Sequence, residues 1–131
     1  MRKANYDKFP STKLTGMLVQ GWDSIISMLK KKMDARKVLA VDLYTGVYEE
    51  EVLDAFSKEF SGRVNVRDLM KPEKEIQALT ERFMTEDVLF GYVTNLKLED
   101  YLDADKVAAA RKQISEAKET IVIIGTGAAA V

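Results

Sequence analysis

The segment Asp42-Leu43-Tyr44-Thr45-Gly46-Val47-Tyr48-Glu49-Glu50-Glu51 joins an apolar run to a helical periodicity, which is where a phosphate-binding loop would lie. A triphosphate cradle needs glycines that bare main-chain N–H groups, a Lys that neutralises charge and a hydroxyl that holds magnesium, in the pattern G-x-x-x-x-G-K-S/T. This loop has Gly46 as its one glycine and no Lys. Glu49, Glu50 and Glu51 would each repel a triphosphate by about 1 kcal/mol or more at short range, while being favoured themselves by the helix dipole. Two readings follow for the loop. Either the glutamates only complement the helix start, or Asp42, Thr45 and Gly46 receive a hydroxyl-rich ligand or a cation.

A second pattern, Gly125-Thr126-Gly127-Ala128-Ala129-Ala130, fits the G-x-G-x-x-G/A of a dinucleotide site directly after an apolar run. Its companions, a following helix and an acidic residue about 20 positions on, would fall beyond Val131. Gly125, Thr126 and Gly127 are therefore ligand-binding candidates, and the alternative is a small-residue turn that lets backbone pack closely. Asp68, just past a short apolar run, is the candidate for a magnesium-binding or proton-accepting carboxylate. Its alternative is turn chemistry ahead of a helix opened by Pro72. No catalytic residue is assigned beyond that candidate. Lys30, Lys31 and Lys32 could form a phosphate patch, but at the end of a helix they also complement its dipole.

Composition restricts the chemistry further. The chain has no His and no Cys, so the usual zinc ligands, Ser-His and Cys-His pairs and disulfides are all excluded, and a metal would need oxygen ligands. No metal site is assigned. Twenty basic against 21 acidic residues leave a net charge of −1, without the broad positive field that nucleic acid or an anionic membrane surface would require. The first ten residues are polar and no apolar run approaches the roughly 20 residues of a membrane span, which implies a cytoplasmic protein. With 131 residues, 47% apolar and 31% charged, the chain is expected to form a single α/β domain over 1–131, with 1–20 as an N-terminal extension. Its apolar end, Ala128–Val131, suggests the N-terminal domain of a longer chain.

Elements to position these residues can be read from periodicity. Trp22, Ile25, Ile26, Leu29 and Met33 recur at helical spacing, so a helix is expected over 22–33. Val38-Leu39-Ala40-Val41 reads as a central strand buried on both faces. A second helix carries Val52, Phe56 and Phe60 and stops at Gly62; a strand follows at Val64–Val66; Pro72 opens a third helix with Ile76, Leu79 and Phe83. Val88–Val93 reads as another strand, although Gly91 weakens it. Asp103 or Asp105 starts a last helix bearing Val107, Ala110, Ile114 and Ala117, and Thr120–Ile124 is the final strand. Alternation of this kind predicts a three-layer α/β sandwich with a mainly parallel sheet of about four strands, and ligands at the C-terminal strand ends.

Three segments taken together, Asn5–Pro10, Val38–Glu51 and Asp87–Asp100, resemble the N-terminal region of bacterial class I mannose-6-phosphate isomerase-like proteins, and the resemblance covers nearly the whole chain. It implies that the parent is a sugar-phosphate isomerase of carbohydrate metabolism, whose zinc cupin domain lies beyond Val131. That domain would be the partner of this one, and this chain would hold no cofactor itself. The same chain is similar, more distantly, to uridine-kinase-like P-loop proteins, at Val38–Gly46, Arg63–Asp68 and Ile121–Gly125. There Asp68 fits the catalytic carboxylate, and Glu49–Glu51 stand where the phosphate-binding Lys belongs, which implies a degenerate, inactive kinase fold. The expected function is a non-catalytic accessory or regulatory domain. The rivals are an atypical nucleoside or sugar kinase that binds a nucleotide or sugar phosphate, and a protein-interaction module.

Overall fold

The innermost element is the last strand. A computed structural model describes residues 9–13, 15–33, 38–87 and 89–131 of the chain. In it Ile121–Gly125 form a strand buried at all five positions, with Val122 and Ile124 wholly covered. It lies between Val38–Asp42 and Gly62–Asn65 and is parallel to both; in chain order these strands are β1 (Val38–Asp42), β2 (Gly62–Asn65) and β3 (Ile121–Gly125), arranged β1-β3-β2. Uninterrupted Ile-Val-Ile-Ile is what a strand with covered faces and two paired edges needs.

Among the described residues four helices accompany the sheet: α1 (Trp22–Met33), α2 (Glu49–Ser57), α3 (Glu73–Glu81) and α4 (Ala104–Glu116). The crossover from β1 to β2 passes over β3, and the return from β2 to β3 runs the opposite way across the sheet. Right-handed connections must then lie on opposite faces, and the apolar side chains divide accordingly. Val122 and Ile124 pack with Ile26 and Met33 of α1 and Val52, Ala55 and Phe56 of α2. Ile121 and Ile123 pack with Val64, Leu102, Ala110 of α4 and Ala128.

Local chemistry sets the ends of these helices. Asp103 Oδ1 accepts from the N–H groups of Asp105 and Lys106 at 3.0 and 3.1 Å, so Asp103 is the cap of α4 and Asp105 belongs to its first turn. Pro72 precedes α3, and Glu73 and Glu75 occupy its first turn, where the dipole favours them. α2 ends at Ser57, and Phe60 is buried just beyond it, stacked on Phe56 with ring centroids 6.0 Å apart. Gly62 opens β2 instead of closing the helix, and Val66 starts a 3-10 turn over Val66–Leu69. No residue of α3 is fully buried.

Two expectations are corrected. β1 is an edge strand, and its residues alternate, with Leu39 and Val41 turned to the core and Val38, Ala40 and Asp42 exposed. An apolar run shows that a segment favours burial, but not how many of its sides are covered. Among the described residues the sheet also has three strands, with none in 89–93; Val88 lies outside the described residues, as do Asn5–Lys8. Asp87 Oδ1 accepts from the N–H groups of Leu89 and Phe90 at 2.8 and 3.0 Å, the Thr85 hydroxyl donates to the Phe90 carbonyl, and Tyr92 N–H donates to the Phe83 carbonyl at 2.8 Å. Side-chain bonds of this kind fold the segment back on the end of α3 in place of a ladder. A Cβ at Gly91 would lie 2.5 Å from the Phe83 carbonyl oxygen, so glycine permits the close approach. Among the described residues no helix is long and apolar enough to cross a membrane.

Burial makes β3 and β1 unequal in a measurable way. Ile124→Ala should cost about 2–5 kcal/mol through lost transfer energy and the cavity left behind. Val38→Ala, at a position 43% exposed, should cost well under half as much. Urea unfolding of both variants checks the pair, and equal losses would contradict the edge position of β1.

Candidate functional site

The C-terminal ends of β1 and β3 carry most of the residues with ligand-binding potential, and their loops leave the sheet toward opposite faces. In α/β sheets that is where a crevice opens. Here the two loops are tied together. Leu43 N–H donates to the Gly125 carbonyl at 3.3 Å, and Thr126 Oγ1 donates to the Leu43 carbonyl at 3.0 Å. Gly127 N–H donates to Asp42 Oδ1 at 2.9 Å. The structure thus brings Asp42, Thr126 and Gly127 into direct contact, as a clamp between two strands more than 80 residues apart in sequence.

Glycine is required twice in this clamp. Gly125 has φ +135°, and a Cβ there would stand 2.8 Å from Cβ of Val66. Gly127 has φ +87°, and a Cβ there would overlap Cδ2 of Leu98. Both belong to the close-packing reading of Gly-Thr-Gly. Ala128–Ala130 then form a single 3-10 turn, and Arg111 of α4 donates from Nε and Nη2 to the carbonyls of Val131 and Ala130 at 2.8 and 3.0 Å. A main-chain N–H at the head of such a turn is where an anion would bind, and at Gly127 the Asp42 carboxylate occupies it.

Thr45 and Gly46 lie in the exposed turn after β1, closed by Val47 N–H to the Tyr44 carbonyl at 3.2 Å. Gly46 has φ +93° with open space where a Cβ would be, so its role is the turn itself. Thr45 has no hydrogen-bond partner among the described residues and is not drawn into the clamp. The glutamates that follow are not bare. Arg67 Nη2 sits 2.5 Å from Glu49 Oε2 and Nη1 sits 3.6 Å from Glu50 Oε1, while Asn65 Oδ1 accepts from Arg67 N–H at 2.9 Å and holds the turn that presents it. Arg67 is 61% exposed, so the pair contributes at most about 1 kcal/mol. Sequence reasoning missed Arg67 because its partners are 17 and 18 positions away; the signal was a lone Arg at a strand end, facing a run of acids across one crossover.

Asp68 follows Arg67 in the same 3-10 turn and is exposed. It lines a cavity of about 310 Å³ with Asp54, Ser57, Arg63 and Asn65. β3 lies between the strands leading to Asp68 and Asp42, so those strands are about two strand spacings apart, on the order of 10 Å. The two carboxylates do not form one site. Among the described residues no three acidic side chains gather closely enough to hold a metal ion.

A larger concavity, about 860 Å³, opens between α1 and α2. Trp22 lies edge-on to Phe56 with centroids 6.3 Å apart, and Lys30 reaches Glu59 at 2.5 Å with its ammonium 5.4 Å from the Phe60 ring centre. Lys30 therefore has a specific partner, beyond any complement to the dipole of α1.

The clamp has an energetic signature. Asp42→Ala leaves the Gly127 N–H without its side-chain acceptor and should lower stability by about 1.5 kcal/mol, the lower end for bonds to charged groups because water reaches the exposed carboxylate. Gly127→Ala should cost about 1–3 kcal/mol, from a left-handed backbone made unfavourable and from overlap with Leu98. Denaturant melts of each variant measure both, and an Asp42→Ala variant as stable as the parent would mean that the carboxylate has no structural role.

No curated protein and no solved structure matches the chain. One family does, over residues 21–131, a span that takes in all four helices, the three strands and the whole clamp; the chain belongs to the family described as Domain of unknown function (DUF8485).

Proposed function

We propose that this chain is a non-catalytic accessory or regulatory α/β domain of a cytoplasmic, mannose-6-phosphate isomerase-like protein of bacterial carbohydrate metabolism. The observation that carries the non-catalytic part is the bond from Gly127 N–H to Asp42. The main-chain donor that a phosphate would use is held by the protein's own carboxylate. Arg67, a cation beside the start of α2, is engaged with Glu49 and Glu50. A phosphorylated ligand would have to displace one acid and compete with two others. The isomerase part rests on the likeness of Val38–Glu51 and Asp87–Asp100 to that protein class, in which zinc and its ligands belong to a separate cupin domain. In this reading the domain docks on the catalytic domain and binds neither zinc nor nucleic acid.

A second reading is favoured by one feature, the cavity beside Asp68. On that reading the three parallel strands belong to an atypical nucleoside- or sugar-kinase-like fold, and Asp68 would act as its carboxylate with an oxygen-ligated magnesium. Arg63 and Asn65 would then contact a nucleotide or sugar phosphate.

Thermal melting with ligands separates the two. A ligand present at 100 times its dissociation constant adds about 2.7 kcal/mol and raises the melting temperature by several degrees. ATP with magnesium, mannose 6-phosphate and fructose 6-phosphate should each leave the melting temperature unchanged, and a coupled assay should give no interconversion of the two sugar phosphates above blank. A nucleotide shift that disappears in Asp68→Ala would establish the kinase reading. Isomerisation that tracks the pure protein and disappears in Asp68→Asn would place an active site here.

A further inference from the structure

The groove between α1 and α2 is lined by charges of both signs, and they are sorted along its length. α1 meets Phe56 through Trp22 and, about two turns further on, Glu59 through Lys30, so the two helices run in the same sense. Asp23, Glu51 and Asp54 therefore fall toward the Trp22 end of the concavity, and Lys31 and Lys58 toward the Lys30 end. None of these five side chains has an ion pair or a side-chain hydrogen bond among the described residues, whereas Lys30 is engaged with Glu59 and Phe60.

Helix dipoles account for only part of this pattern. Asp23 and Glu51 stand in first turns and Lys31 in a last turn, but Asp54 is in the middle of α2, beyond the reach of its dipole. Between the charged ends the lining is apolar: Trp22 is 40% exposed, and Ile26 and Ala55 are buried beside it. Ser27, one turn from both Asp23 and Lys31, adds a hydroxyl with no partner among the described residues. The volume of about 860 Å³ falls within the roughly 300–1,000 Å³ of sites that hold small ligands. A nucleotide would meet the three carboxylates, and a polyamine would meet the two lysines. A molecule with a cationic end, an apolar body and an anionic end satisfies both. From Asp23 to Lys31 the helix rises about 12 Å, and an extended peptide of four residues measures much the same from α-ammonium to α-carboxylate.

We propose that this groove binds a short, extended peptide with free termini, its α-ammonium among Asp23, Glu51 and Asp54 and its α-carboxylate between Lys31 and Lys58. Apolar side chains of the peptide lie against Trp22, and the Ser27 hydroxyl bonds to its main chain. Near neutrality both termini carry their charges, since an α-carboxyl group titrates near pH ~3.5 and an α-amino group near pH ~8. The groove thus recognises the distance and order of two charges across an apolar body. It is independent of the accessory-domain reading, which concerns the C-terminal ends of β1 and β3.

Trp22 is the only tryptophan in the chain, so its fluorescence reports on the groove alone. Titration of the 131-residue chain with the tetrapeptide Ala-Leu-Leu-Ala, up to about ten times a millimolar dissociation constant, tests the proposal. The expected result is a saturable change in emission. Acetylating the amino end or amidating the carboxyl end should each weaken binding about threefold to fivefold, the reach of an exposed ion pair. With Asp23→Asn, Glu51→Gln and Asp54→Asn combined, the free and acetylated peptides should bind alike while the carboxylate is still preferred to the amide. Lys31→Gln with Lys58→Gln should give the reverse. All five side chains are exposed, so these variants should keep the parent's circular dichroism. The absence of any saturable change would overturn the proposal. So would equal binding of the peptide capped at both ends, which would make the groove an apolar surface without selection for charge. If either combined variant fails to fold, the capped peptides on the parent chain decide the question.

Discussion

β3 has no free side. Its two edges are hydrogen-bonded to β1 and β2, its two faces carry the two hydrophobic clusters, and its C-terminal end is fastened to β1 through Asp42 and Leu43. β1 and β2 pair only with β3, not with each other, so without β3 there is no sheet, and α2 and α4 lose the surface that keeps them on opposite faces. The short β2, only four residues, is tolerable because the strand beside it is the most buried part of the molecule.

The clamp at the end of β1 and β3 shows how one geometry serves two opposed purposes. Glycines after a strand bring main-chain N–H groups near whatever sits above the sheet. When that neighbour is a phosphate, the result is a binding site. Here it is the carboxylate of Asp42, and Leu98 fills the volume that glycine leaves at position 127. The same spacing of small residues therefore closes the crevice. Arg67 completes the effect on the far side by neutralising the acids that open α2.

Much of the layout was legible in the sequence, and the failures have physical causes. The bounds of α1, the Pro72 start of α3, the start of α4 at Asp103 or Asp105 and the buried character of the last strand all follow from signals within a few residues, where local chemistry decides the outcome. What could not be read were facts about neighbours. Val38–Val41 is apolar enough to be central, yet its rank in the sheet depends on where a strand 83 positions later inserts. Val88–Val93 has strand propensity, but Asp87, Thr85 and the Phe83 carbonyl capture its main chain first. Of the candidate site, the contact between Asp42 and Gly127 is latent in two motifs that lie 85 positions apart, and Arg67 is hidden in a turn.

The position of β3 in the chain also governs the order of events during synthesis. β1 and β2 leave the ribosome first, with their inward faces apolar and their inner edges unpaired, and they have nothing to pair with until residues 121–125 follow. Closing a loop of that length is entropically expensive, and a nucleus that depends on it forms slowly. For the interval in which α1, β1, α2, β2 and α3 exist without β3, the nascent chain is a set of amphipathic pieces around an empty slot, the kind of species that chaperones retain. Insertion of five residues then converts it in one cooperative step, so partly synthesised or C-terminally nicked chains should be degraded and not accumulate as folded fragments.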